Sequence, residues 1–358
     1  MKIAVACGGT GGHAFPGIAV AEELARRGHE VVVWSSGRDV ESSAMSRWKG
    51  PVFATGARPL SLRNVLSNIG AILRCRKEMK RESPDALIAM GSYSSLPPVL
   101  AARLRGVKVF LHEANTVPGK AVDFLSRFAD KVAISFDVTS NFMPGAKTVL
   151  TGLPVRSEIA SGHRFSFIPA DAFVVFVTGG SQGAHAVNLL LKDALAMMKR
   201  ELSRSEGGRP LYVIHQTGVA DEGLVMAEYA KESIPSRVHA FEREMPDAFA
   251  SADIVVARAG ASTCFELAAC GKPAFLIPLP SALRDHQRHN ADAFAEKGAA
   301  DVGDQAKLSP RQVCRYLMNL YNSSTRLHSM SEKMKSLSVP DAAARVADVV
   351  TNSVCPQQ

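Results

Sequence analysis

Two glycine-rich loops carry most of the chemistry that this sequence could perform. The first, Gly8-Gly9-Thr10-Gly11-Gly12-His13, lies between the apolar run KIAVAC and the amphipathic stretch GIAVAEELARRG. A loop that leads from a strand into a helix offers backbone N–H groups and the positive end of a helix dipole, a combination that favours phosphate. Glycines let a ligand approach the backbone closely. Gly9 to Ala14 fits the loose dinucleotide pattern G-x-G-x-x-A, although a tight turn with no ligand fits it as well. A dehydrogenase would place an acidic residue after the second strand. Trp34-Ser35-Ser36 stand there instead, which leaves Arg38 to hold a 2′-phosphate in an NADP reading. The second loop, Gly179-Gly180-Ser181-Gln182-Gly183, contains G-x-S-x-G, and Asp285 and His286 follow in the chain order of an α/β-hydrolase. A hydrolase needs one such elbow, whereas this chain opens two similar stretches with two glycine loops. That arrangement suits a nucleotide diphosphate better.

A third cluster, Arg258-Ala259-Gly260-Ala261-Ser262-Thr263, is followed by Glu266. A carboxylate one turn into a helix can accept hydrogen bonds from both ribose hydroxyls, or it can simply complement the helix dipole. Asp285-His286-Gln287 follows the run PAFLIPLP and sets polar groups where sugar hydroxyls, or only solvent, would meet them. The candidate general base is His13, because an imidazole titrates near neutrality and this one opens a helix beside the glycines. Glu113, beside Asn115, is the alternative.

These residues need a scaffold of alternating elements. KIAVAC, HEVVVW, DALIAM and KVFLHE read as strands, with GIAVAEELARRG and LPPVLAARLRG as helices among them. The pattern restarts at FVVFVTGG, with a long helix through AHAVNLLLKDALAMMKR and strands at LYVIHQ, IVVARAG and PAFLIP. Alternation of this kind predicts parallel sheets covered by helices on both faces, here in two Rossmann-like domains. The boundary is expected near residues 151–163, where Gly, Pro and polar residues cluster. The amphipathic stretch DAAARVADVVTNSV could close either domain.

The chain of 358 residues is about long enough for two domains, and at 46% hydrophobic residues it can bury both cores. No apolar run approaches the roughly 18 residues of a membrane span, and the N-terminus reads as a strand rather than a signal peptide. Six scattered cysteines form no C-x-x-C pair, which argues against a disulfide framework or a zinc site. A net charge of +8 suits nucleic acid, an anionic membrane or a diphosphate ligand without choosing among them. There is no Asp-x-Asp to clamp a metal. Residues 60–81 combine Leu66, Ile69, Ile72 and Leu73 with Arg74, Arg76, Lys77, Lys80 and Arg81. A basic amphipathic helix of this kind suits an anionic membrane surface.

Taken together, GGTGGHAFPGIAVAEEL, HEANTVPGK, TGLPVR, GGSQGA, RAGAST with Glu266, and DHQRHNA resemble the MurG family of peptidoglycan glycosyltransferases, in order and over nearly the whole chain. The resemblance implies the GT-B fold, with two Rossmann-like domains facing a central cleft. The implied domains are residues 1–157, joined by a returning helix at 339–354, on the acceptor and membrane side, and residues 158–338 for the UDP-sugar. It implies an inverting transfer of N-acetylglucosamine from UDP-N-acetylglucosamine to an undecaprenyl-linked lipid I acceptor. The enzyme would need no cofactor, would not bind nucleic acid, and would sit peripherally at the cytoplasmic face of the inner membrane. Another GT-B lipid glycosyltransferase and a non-catalytic nucleotide-sugar binding subunit are the alternatives.

The resemblance also assigns roles. Thr10, Gly11 and Gly12 belong to the N-terminal loop, Asn115 reaches the donor sugar and Arg156 the diphosphate. Ser181 contacts phosphate. Ala261, Ser262, Thr263, Cys264, Phe265 and Glu266 hold phosphate and ribose, with Glu266 on the ribose. Gln287 meets N-acetylglucosamine hydroxyls. Glu242 meets uracil through its backbone, so its side chain is expected to matter little. Two departures stand out: Leu153 replaces an Asn in the linker motif, and Gly91-Ser92-Tyr93-Ser94-Ser95-Leu96 lacks two glycines of the acceptor-side loop.

Overall fold

The structure is a computed structural model that describes residues 1–9, 11–38, 41–204 and 207–354, apart from the side chains of Ser42 and Ser43. The chain divides into two compact units, Met1–Arg156 with Val339–Gln358, and Ser157–Ser338. Among the described residues the first unit holds one sheet of seven parallel strands. These are β1 (Lys2–Ala6), β2 (Glu30–Ser35), β3 (Val52–Ala54), β4 (Ala86–Ala89), β5 (Lys108–Glu113), β6 (Lys131–Ile134) and β7 (Thr148–Leu150). Their order is β3-β2-β1-β4-β5-β6-β7. The second unit holds β8 (Phe173–Thr178), β9 (Leu211–Gln216), β10 (Ser236–His239), β11 (Ile254–Ala257), β12 (Ala274–Leu276) and β13 (Ala300–Val302), in the order β10-β9-β8-β11-β12-β13.

Strand pleating explains why the central strands read as unbroken apolar runs. Along β1, Ile3 and Val5 enter one core with Ile18, Leu24, Val346 and Val350. Ala4 and Ala6 face the other, with Cys75, Met79 and Leu87. Both faces are covered, so no position alternates to polar. The first core needs the helix Gly11–Arg26 to lie close to β1, and Gly17 permits it: a Cβ there would overlap the side chain of Cys7. The terminal helix Ala342–Val354 packs into the same core, and Arg27 fastens it through Asp348 at 2.5 Å and the Ala344 carbonyl at 3.1 Å. The second unit repeats the scheme around Val175, Val177, Leu191, Val213 and Val256.

Five strands were absent from the sequence reading: β3, β6, β7, β10 and β13. Each is only three or four residues long, four of them are edge strands and β6 lies next to an edge, so their apolar signal is weak. The basic amphipathic stretch is a helix over Val65–Glu82. Asn68, Ala71, Cys75 and Met79 face inward, while Leu66, Ile69 and Leu73 are exposed, Leu66 at 82%.

Candidate active site

In each sheet the strand order reverses once, between β1 and β4 and between β8 and β11. At such a reversal the loops after the two strands run apart and leave a crevice at the carboxyl ends, where open α/β sheets take ligands. Both glycine loops stand at these points.

In the first unit the glycine loop follows β1. The Ser94 hydroxyl donates to the Gly8 carbonyl at 2.7 Å. Gly9 has φ +100°, and its N–H donates to the Glu41 carboxylate at 2.5 Å. Glu41 is 1% exposed and also accepts from the Ser36 amide at 3.0 Å and from the Ser36 hydroxyl. The loop's amides were expected to face a phosphate. One of them is already committed to this carboxylate, which leaves the helix start at Gly11 and Gly12 as the positive end. Thr10 lies outside the described residues.

His13 is the third residue of that helix, and its Nδ1 lies 2.9 Å from the Met90 carbonyl at the end of β4. A carbonyl only accepts, so Nδ1 carries the hydrogen and Nε2 is the basic nitrogen of the neutral ring. Glu113 ends β5 and is buried, and burial pushes its carboxyl up. One oxygen accepts from the Asn115 amide at 2.8 Å and from its side-chain nitrogen at 3.1 Å; the other accepts from Gly119 N–H at 3.0 Å. These bonds tie Glu113 to its own loop, where it orients Asn115. Of the two candidate bases, Glu113 is the one held within its own loop. The Arg156 guanidinium stacks over the Phe15 ring, 5.0 Å from its centre, on the helix that bears His13.

In the second unit Ser181 is exposed in the loop after β8. Gly183 has φ +73°, and a Cβ there would collide with the Thr217 carbonyl. Gln216, buried at the end of β9, donates to the Gly180 carbonyl at 2.7 Å and accepts from the Glu242 amide at 3.0 Å. It thereby joins the glycine loop to the loop assigned to uracil. Glu242 is 2% exposed. Burial opposes its charge, but the paired Arg237 at 2.8 and 3.0 Å holds the carboxyl below its ordinary range. Its side chain therefore also holds the shape of its own loop.

After β11 the helix Ala261–Cys270 starts at Gly260, which brings no capping side chain. Ala261, Ser262 and Thr263 form its first turn, the positive end of a helix and the end that suits anions. Glu266 is half-buried one turn on. The side chains of Cys264 and Phe265 are 0% and 6% exposed and belong to the core, so that any ligand contact there would be through the main chain. Burial pushes the Cys264 thiol up to about 12. Arg258 is also structural: it donates to the Ile277 and Pro278 carbonyls at 3.0 Å and to Gln305 at 2.6 Å, bracing β11 against the exit of β12. Gln287 accepts from the Leu279 amide at 2.9 Å through its side-chain oxygen.

Comparison with known proteins decides the class of enzyme. Residues 3–134 match the glycosyltransferase family 28 N-terminal domain and residues 174–346 the C-terminal domain. The chain belongs to glycosyltransferase family 28. A family 28 relative from Geobacter metallireducens, a UDP-N-acetylglucosamine–N-acetylmuramyl-(pentapeptide) pyrophosphoryl-undecaprenol N-acetylglucosamine transferase, is 36% identical across 99% of both chains. One of the same name from Myxococcus xanthus is 36% identical over 98% of this chain and 92% of its own. The crystal structure of Acinetobacter baumannii MurG matches with a TM-score of 0.77 at 30% identity, covering 98% of this chain and 99% of that one. The fold is therefore GT-B, built from two Rossmann-like domains. Glu41 and Gln216, each of which braces the glycine loop of its own unit, escaped the sequence reading. Neither belongs to a motif, and a lone polar residue gives no signal until its partners are known.

Proposed function

We propose that the chain transfers N-acetylglucosamine from UDP-N-acetylglucosamine to undecaprenyl-diphosphate-linked N-acetylmuramoyl-pentapeptide, converting lipid I to lipid II in peptidoglycan synthesis. The observation that carries this reading is full-length identity of 36% to transferases of that name, with a glycine loop at each sheet's reversal point. In this mechanism an acceptor sugar hydroxyl attacks the anomeric carbon. Its proton passes to Nε2 of His13, and the bond to UDP breaks with inversion. The leaving diphosphate is stabilised by the first-turn amides of Ala261, Ser262 and Thr263, by Ser181 and by Arg156. Glu266 accepts from the ribose hydroxyls, while Gln287 and Asn115 read the sugar. The chemical step then needs no divalent metal.

The membrane assignment rests on the helix Val65–Glu82. Leu62 is 94% exposed and Leu66 82%, with Arg74, Arg76, Lys77 and Lys80 on the same helix or beside it. Exposed apolar groups within a basic surface suit peripheral attachment to the anionic cytoplasmic leaflet. No helix among the described residues is long and apolar enough to cross a membrane.

The test is UDP release with lipid I as acceptor and a panel of UDP-sugars, with and without chelator. UDP-N-acetylglucosamine should be preferred to UDP-glucose and UDP-N-acetylgalactosamine, and chelator should leave the rate intact. Equal turnover of all three donors would overturn the donor assignment. Loss of activity in chelator, restored by magnesium, would overturn the metal-free mechanism.

A further inference from the structure

The loop after β10 is fastened by an ion pair that is almost closed to solvent. Arg237 lies on β10, an edge strand of the second sheet. Its guanidinium forks onto the Glu242 carboxylate, with Nε 2.8 Å from one oxygen and Nη2 3.0 Å from the other. Nη2 also reaches the Glu244 carboxylate at 2.5 Å. The guanidinium stacks over the Phe165 ring, 4.6 Å from its centre. The Arg237 and Glu242 side chains are 19% and 2% exposed. A carboxylate buried this deeply needs a charged partner of good geometry, and the planar fork of arginine supplies it where a lysine could not.

Every second amide of this loop is spent inside the protein. Ala240 N–H donates to Glu222 at 2.8 Å, Glu242 N–H to Gln216 at 3.0 Å and Glu244 N–H to the Glu242 carboxylate at 2.9 Å. The third of these bonds depends on the carboxylate that Arg237 holds. Gln216 carries the connection on to the Gly180 carbonyl, so the loop is set relative to the second glycine loop. The peptide groups left for a ligand are therefore fixed in direction. Uracil presents a donor N3–H between two acceptor oxygens, whereas cytosine presents an acceptor N3 beside a donor amine. A main chain fixed in one orientation matches one of these edges, and a main chain whose peptides can rotate matches both.

We propose that Arg237 is a positioning residue that makes the protein choose uracil over cytosine: through the Glu242 carboxylate it fixes the main chain of 241–243 against the edge of the base. Arg237 itself does not touch the nucleotide, because its fork is engaged by carboxylates and its face by Phe165. This role presupposes the reading above of UDP-N-acetylglucosamine as the donor.

The experiment measures UDP and CDP binding by calorimetry, and the KM values for UDP-N-acetylglucosamine and lipid I separately. The variants are Arg237→Met, Glu242→Gln and the two combined. Arg237→Met should weaken UDP about 10-fold, raise the donor KM to match, and narrow the preference for UDP over CDP by about 10-fold, as expected for one lost base contact. Its kcat and acceptor KM should stay within about two-fold of the parent. The double variant should discriminate no worse than Arg237→Met alone, because both residues act through one contact. Parent-like UDP affinity in Arg237→Met overturns the proposal. Equal weakening of UDP and CDP overturns it too, since a merely structural arginine would leave the preference intact. If Arg237→Met folds poorly, Glu242→Gln decides: it keeps the side-chain volume and removes the charge that Arg237 grips, and an unchanged preference there is equally fatal. Binding needs no acceptor, so a parent that prefers UDP yet transfers nothing to lipid I overturns the transferase reading alone. A parent that binds UDP and CDP equally overturns the role of Arg237.

Discussion

In the proposed mechanism, the hydrogen bond from His13 Nδ1 to Met90 separates two duties of one side chain, holding the loop and taking a proton. His13→Asn can keep the first, since an amide nitrogen reaches the carbonyl as Nδ1 does, but it has no base. It should therefore fold with the parent Tm and lose roughly 10²–10⁴-fold in kcat, the range for a lost acid–base group. Near-parent kcat in single-turnover assays would assign the base elsewhere. Glu266 makes a separate claim on binding. Glu266→Ala should weaken UDP about 10- to 100-fold by calorimetry, because two ribose hydroxyls lose a charged acceptor. If UDP affinity holds while Tm drops, Glu266 only complements the helix dipole.

Among the elements, the helix Val65–Glu82 tests the membrane assignment. Its inward face, with Ala71, Cys75 and Met79, is buried, whereas Leu66 and Leu73 lie outside at 82% and 59% exposure. Replacing Leu66 and Leu73 together by Glu should leave Tm nearly unchanged, as expected for surface positions. Binding to vesicles rich in anionic lipid should fall by at least about 10-fold in a flotation assay, since two apolar contacts are lost and two negative charges are added. Equal binding of parent and variant would remove this helix from the membrane surface. The same helix was legible in the sequence because its period of 3.6 is sustained over five turns. The three-residue strands β3, β7 and β13 were not, because three residues cannot display a period.

For the whole molecule, each unit contains a histidine that folding keeps neutral. Burial lowers His112 in the first unit from 6.5 to about 4, and His215 in the second from 6.5 to about 3. His112 Nδ1 is buried with no hydrogen-bond partner among the described residues, and His215 is enclosed by Tyr229 at 2.8 Å and Asn188 at 3.1 Å. Since the folded values lie below the unfolded 6.5, the unfolded chain takes up more protons in acid. Their stability contribution is complete above 6.5 and is lost as pH falls towards 4 and 3, by up to about 1.4 kcal/mol per histidine per pH unit. Thermal unfolding should show Tm falling between pH 6.5 and 5, above the range in which ordinary carboxylates titrate. A flat Tm across that window would mean that neither histidine is held neutral.

The sequence by itself determined the alternation of strand and helix, the two glycine loops and the family. Each of these is written in residues close together in the chain: Gly8 to His13, Gly179 to Gly183, Ala261 to Glu266. The pattern of the amphipathic stretch 341–354 showed only that it was a helix, and its place in the first unit came from the family resemblance; in the structure Val346 and Val350 pack into the core around Ile3 and Val5. Distance along the chain likewise hid the supports of the site. Glu41 reaches Gly9 across 32 residues and Gln216 reaches Gly180 across 36. The structure also put two side chains of RAGASTCFE into the core, since Cys264 and Phe265 point inward from the start of the helix Ala261–Cys270. Hydrogen bonds and burial depend on which atoms meet in space, and only the folded chain brings those atoms together.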